Sequence, residues 1–191
     1  QLDGTYIVAN SFNDTLISHT AAHGSIKNGS LDGLWTFWNI NGFLSSKQFY
    51  KNGSPHGSFT SFNEQTGKKS EDGLVLGYDA HGNLIKDGKW MIWDSNGKLK
   101  EEVTFDSGKR NGLTTFFSPS GNQNAKITYK ESLPWNGEWC LWYADGNKKE
   151  SGFYEKGKKK SPWISWFNNG QKKREINYKN NKKHGSYTEW N

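Results

Sequence analysis

A glycine returns along this chain about every two dozen residues, and aromatic side chains follow it at fixed offsets. With Gly33, Gly57, Gly88, Gly112, Gly137, Ser161 and Gly185 as repeat starts, the steps are 24, 31, 24, 25, 24 and 24 residues. Two residues on stand Trp35, Phe59, Trp90, Thr114, Trp139, Trp163 and Tyr187. Five residues on stand Trp38, Phe62, Trp93, Phe117, Trp142, Trp166 and Trp190. Seventeen on, in five of the six complete units, stand Tyr50, Phe105, Tyr129, Tyr154 and Tyr178. Self-similarity at roughly this period marks a solenoid or array of small units. Such chains present extended surface and seldom enclose a reaction site.

The aliphatic content is too low for a thick two-layer core. Leu, Ile, Val and Phe together make 35 of the 191 residues, a proportion that on its own leans toward disorder. Ten Trp and eight Tyr reverse that reading, because each large ring buries a wide apolar area. Many rings at regular places can cover one face of a thin sheet.

Each unit reads as two strands and two turns. Leu34–Trp38 is an aromatic-rich strand, Asn41-Gly42 a turn, Lys47–Tyr50 a second strand and Asn52-Gly53 a second turn. The first turn recurs at Gly97, Gly121, Gly146 and Gly170, and at Gly67 one residue late; the second recurs at Gly108, Gly157 and Asn181. Helical periodicity is absent. The expected fold is therefore all-β: an elongated, single-layer antiparallel β-hairpin array of about seven units.

Two domains of unequal regularity follow. Residues 1–32 read as a degenerate N-terminal cap in which Ile26 and Gly29 keep the second-strand and second-turn offsets. Residues 33–191 hold the repeats, with seven extra residues near 70–80, around Glu71–Tyr78, that extend a hairpin or form a bulged loop. The small repeat-start glycine is expected to let a neighbouring ring lie against backbone. The last unit reaches Asn191 after one strand, an edge open to strand addition.

The run Gly137-Glu138-Trp139-Cys140-Leu141-Trp142-Tyr143-Ala144-Asp145-Gly146-Asn147-Lys148-Lys149-Glu150, closed by Tyr154 and Gly157, resembles the MORN repeat in its bacterial variant form. Gly88–Glu101 matches nearly as well, and the resemblance spans about residues 33–191. Departures are Thr114, Ser161-Pro162 and the expansion after Gly57. The resemblance implies a hairpin array without catalytic residues; its relatives serve as protein-binding or membrane-associated scaffolds, and many bacterial ones are labelled antitoxin-like.

Catalytic and metal chemistry find little support. His19, His23, His56, His81 and His184 lie in distant units or lack metal-ligand spacing, and neighbouring acids such as Glu71-Asp72 and Glu101-Glu102 face opposite sides of a strand. No nucleophile elbow, phosphate loop or dinucleotide fingerprint occurs. The single Cys140 excludes an internal disulfide, and no apolar run is long enough for a membrane-spanning helix. No enzyme activity and no cofactor are expected.

Candidate partner contacts are Trp38, Trp93, Trp142, Trp166 and Trp190 as an exposed ring series, and Tyr78 in the expansion. Lys158, Lys159, Lys160, Lys172, Lys173 and Arg174 join them in the basic end: residues 1–145 carry 13 basic and 15 acidic groups, whereas 146–191 carry 12 and 4. The simpler reading of the same residues, and the favoured one, is stacking contacts for the rings and solvated turns for the lysines. The expected role is a scaffold for a protein partner, in a bacterial envelope complex. An antitoxin or immunity-like binder is one alternative, and a glycan or anionic-membrane binder another; nucleic acid is disfavoured. Gln1 in first place suggests a mature chain after signal removal, in the periplasm or on the outer surface, while a cytoplasmic location stays open.

Overall fold

The computed structural model describes residues 4–9, 20–143 and 145–191. Those residues contain fifteen strands and no helix. The expected cap lies partly outside them, as does His19. The strands form one sheet in chain order, each beside the next, with antiparallel pairing. The residues group into two compact units, 1–97 with 105–108, and 98–104 with 109–191.

The first unit contains β1 (Gly4–Ala9), β2 (Thr20–Lys27), β3 (Ser30–Trp38), β4 (Leu44–Lys51), β5 (Ser54–Phe62), β6 (Lys69–Tyr78) and β7 (Leu84–Trp93). Strand β8 (Leu99–Asp106) contributes residues to both units. The second continues with β9 (Lys109–Phe117), β10 (Gln123–Lys130), β11 (Leu133–Trp142), β12 (Lys148–Glu155), β13 (Lys158–Trp166), β14 (Lys172–Lys179) and β15 (Lys182–Glu189).

Second turns are two-residue hairpins with both residues at positive φ, as in Asn52 (50°) and Gly53 (83°). That geometry matches the twist of the flanking strands. Glu131-Ser132 occupies the same place at φ 50° and 66°, although neither residue favours the left-handed region. Glu131→Asn is therefore expected to stabilise the fold by about 1 kcal/mol, since asparagine visits that region readily. The ion pair it removes, Lys109–Glu131, is exposed and contributes little. Chemical denaturation checks this; an unchanged midpoint would show that Glu131 is not strained.

The repeat-start glycines do a different job from the one expected. Ser25 pairs with Asp32 and His23 with Thr36, so Gly24 alone faces Gly33, Leu34 and Trp35. Phe49 likewise faces His56–Ser58, Gly73 faces Gly88–Trp90, and Gly152 faces Ser161–Trp163. Each is a bulge, and Gly33, Gly57 and Gly88 take φ of 79°, 99° and 64° there. No side chain lies within 4 Å of where a Cβ on Gly33 would stand.

The glycine that receives the ring is the one on the preceding strand. A Cβ on Gly24, Gly73 or Gly152 would stand 2.2, 2.3 or 2.3 Å from Cδ2 of Trp35, Trp90 or Trp163. Trp35 Nε1 donates to the Ser25 carbonyl at 2.9 Å, and Trp90 Nε1 to the Leu74 carbonyl at 3.0 Å. The core grows from these anchors by ring contacts. In the first unit Trp35–Phe37–Tyr50 and Phe59–Trp90–Phe105 are in contact, with centroids 5.8–6.3 Å apart. In the second, Phe116–Trp139–Tyr154–Trp163–Tyr178 runs at 5.3–6.4 Å. Each such contact contributes about 0.5–1.5 kcal/mol beyond area burial.

The expansion lengthens the β6–β7 hairpin. Glu71–Tyr78 is strand, and the two-residue turn is replaced by the loop 79–83. Asp79 Oδ1 accepts from the N–H of His81 (2.8 Å) and of Asn83 (2.9 Å). These bonds, that from Asn83 foremost, hold its carboxyl below the usual carboxylate range. Asn39 closes the β3–β4 turn in the same way, accepting from Asn41 and Phe43.

Candidate interaction surface

Strand alternation gives each ring of the core an outward neighbour, and in the first unit several of those neighbours are apolar. Leu34 pairs with Phe49, and Leu74 with Ser58. Leu34, Phe49, Leu74 and Leu76 are 52%, 41%, 49% and 47% exposed, while Trp35, Tyr50 and Val75 beside them are buried. The row crosses β3, β4 and β6. At the repeat position of Leu34 the other units carry Ser58, Lys89, Glu138, Pro162 or Ser186, with Leu113 alone matching it. That contrast was the sequence signal for this row, hidden because the positions lie off the aromatic ruler.

A second feature is a regular cation. Two residues before the repeat start, Lys86 stands 4.4 Å from the Trp90 ring centroid and pairs with Glu71 at 2.7 Å. Arg110 stands 5.5 Å from Tyr129 and pairs with Glu101 at 2.7 Å; Glu101 is buried. Lys159 stands 3.8 Å from Trp163 and 4.7 Å from Tyr178. Burial lowers its pKa, and the charge of Glu150 opposes that shift. Lys183 holds the same place before Tyr187, at 5.9 Å. These cations belong to the packing of the ring row.

The sequence-nominated residues fall into distinct settings. Trp38, Trp93, Trp142 and Trp166 are half-buried rather than exposed, and of the series Trp190 alone is exposed, at 38%. Lysines cover three of these rings at 5.6 Å: Lys69 on Trp93, Lys148 on Trp166 and Lys172 on Trp190. Tyr78 is exposed; the hydroxyl of Tyr50 is pushed above the usual tyrosine range, chiefly by burial and secondarily by Tyr78. Most of the basic end is engaged within the chain. Lys158 donates to Asn180 Oδ1, Lys160 pairs with Glu155, and Lys172 pairs with Glu175. Lys173 lies 5.4 Å from Phe167, and Arg174 pairs with Glu189. Cys140 is a buried free thiol, its pKa raised by that burial. No three potential metal ligands cluster among the described residues.

A one-sheet stack of antiparallel hairpins with a repeating ring row is the architecture of a hairpin-repeat protein. Three segments, residues 86–107, 135–156 and 162–180, match the MORN repeat variant, so these segments are MORN-type repeats. A search of curated proteins finds no match to it. MORN repeats commonly mediate protein or membrane interactions and are not typically enzymatic.

Proposed function

We propose that the chain is a non-enzymatic scaffold that binds a partner protein along the face carrying Leu34, Phe49, Leu74 and Leu76. The observation that supports this reading is the set of exposed apolar side chains itself, since exposed apolar surface rimmed by polar residues marks interaction sites. Its setting, in this proposal, is an accessory role in a bacterial envelope assembly, a reading that rests on composition. An antitoxin would use the same row on a single toxic enzyme, and a glycan binder would use the half-buried tryptophans instead.

The test places a photo-crosslinking phenylalanine analogue at Phe49 of the full chain in extracts of its host. A discrete adduct with an envelope protein is expected, and it is lost in Leu74→Asp. That substitution is on the surface and should change stability by less than about 1 kcal/mol. An adduct indifferent to Leu74→Asp would contradict the proposed face. An adduct with one toxic enzyme would favour the antitoxin alternative, and retention on polysaccharide without a protein adduct the glycan one.

A further inference from the structure

The cation positions of the second unit follow a rule that the last repeat reverses. Nine residues before Arg110 stands Glu101, and nine before Lys159 stands Glu150. The first unit keeps the same pair, Lys86 with Glu71, across the longer loop. Nine residues before Lys183, the acid's place is taken by Arg174. Like charges thus take the places that form ion pairs in Lys86–Glu71 and Arg110–Glu101, and Lys183 makes no ion pair among the described residues. Arg174 stands 5.9 Å from the Tyr187 ring, as does Lys183.

Beside this reversal lies a hollow of about 240 Å³, lined by Glu150, Trp163, Arg174, Ile176, Tyr178 and Lys183 among others. Two of its lining side chains carry a buried N–H with no acceptor, Trp163 Nε1 and Arg174 Nε. Trp163 is 4% exposed. The indoles of Trp35 and Trp90, seated on glycine in the same way, both donate to a backbone carbonyl. Arg174 Nη2 donates to Glu189 at 3.0 Å, while its Nε has no acceptor. Both of these buried unmet atoms are donors, and buried donors left unmet are costly.

We infer that this hollow receives a carboxylate side chain from an acidic segment of the partner protein. A carboxylate offers two acceptor oxygens to the guanidinium edge and to Lys183, and its short apolar stem suits the Ile176, Tyr178 and Trp163 walls. Glu150 in the wall disfavours a dianionic phosphate more than a singly charged carboxylate. The inference rests on the scaffold reading above and gives its partner a chemistry: an acidic segment.

The test uses the full chain and fluorescence anisotropy with a labelled decapeptide alternating Glu and Gly. A Gln-Gly decapeptide is the neutral control, and vesicles of phosphatidylglycerol in phosphatidylcholine form the third arm. The Glu peptide is expected to bind and the Gln peptide not to. Lys183→Glu should weaken binding by about tenfold or more, which is about 1.4 kcal/mol. Lys183→Arg should retain binding, and Arg174→Gln should weaken it. Lys182→Glu makes the same charge change on the opposite face of β15 and should weaken it by less than about threefold. Equal weakening by Lys182→Glu and Lys183→Glu would overturn the site in favour of general charge attraction. Vesicle binding that depends on Lys183 while the peptide fails to bind would overturn it in favour of a lipid phosphate. If the Phe49 adduct persists in Lys183→Glu and the peptide does not bind, this site falls and the scaffold reading stands.

Discussion

Replacing Trp90 with alanine is expected to lower folding stability by about 3–5 kcal/mol, among the largest losses a single truncation produces. Trp90 is 0% exposed, donates to the Leu74 carbonyl and touches both Phe59 and Phe105. Truncation therefore removes ring contacts to β5 and β8 and leaves a cavity in a one-layer core with little else to fill it. Lys86 would lose the ring beneath it while keeping Glu71. Trp93→Ala, three residues along, should cost under about 2 kcal/mol, because that ring is only half-buried. Urea denaturation of the two variants measures the contrast. Equal losses would show that the two tryptophan rows carry the fold alike.

Adding one methyl group at Gly73 is expected to cost about 3 kcal/mol, the upper end for overpacking. The new Cβ would stand 2.3 Å from Cδ2 and 2.4 Å from Cε2 of Trp90, both in a rigid and fully buried ring. Backbone conformation is not the obstacle, since Gly73 lacks the positive φ of the bulge glycines. The double variant Gly73→Ala with Trp90→Ala should therefore cost no more than Trp90→Ala alone. A cycle of the four proteins reads this directly. Additive losses would mean that the ring does not rest on Gly73.

This pair shows where sequence reading succeeded and where it ran out. The ruler of glycines and rings placed the strands and turns, because hairpin turns need residues tolerant of positive φ and the ring row needs a constant step. The same ruler drew attention to Gly33 and Gly88, the repeat starts, as seats for the rings. Those glycines serve the bulges, and the seats are Gly24, Gly73 and Gly152. Gly24 and Gly152 each stand eleven residues before their tryptophan; Gly73 stands seventeen before, because the loop 79–83 is longer than a two-residue turn and the strand segments flanking it are longer too. Seeing this needs the register between two strands, which spacing within one strand does not give. The tryptophans five residues into each unit read as an exposed series because alternation on an ideal strand turns them outward. Register shifts next to Trp38, Phe62, Trp142 and Trp166 interrupt that ideal, and those rings are half-covered. The apolar row of Leu34, Phe49, Leu74 and Leu76 escaped notice for the opposite reason: it carries no periodic signal.

The proton shifts of Gly24, Gly73 and Gly152 test most directly whether neighbouring hairpins are locked together by indoles resting on backbone. A proton above or below an indole face is shifted strongly upfield by the ring current. In the NMR spectrum of the full chain, the Hα signals of these three glycines are expected well upfield of turn glycines such as Gly53, with cross-peaks to the indoles of Trp35, Trp90 and Trp163. Glycine shifts indistinguishable from those of the turns, without such cross-peaks, would contradict the ring-on-glycine packing of β2 with β3, β6 with β7 and β12 with β13.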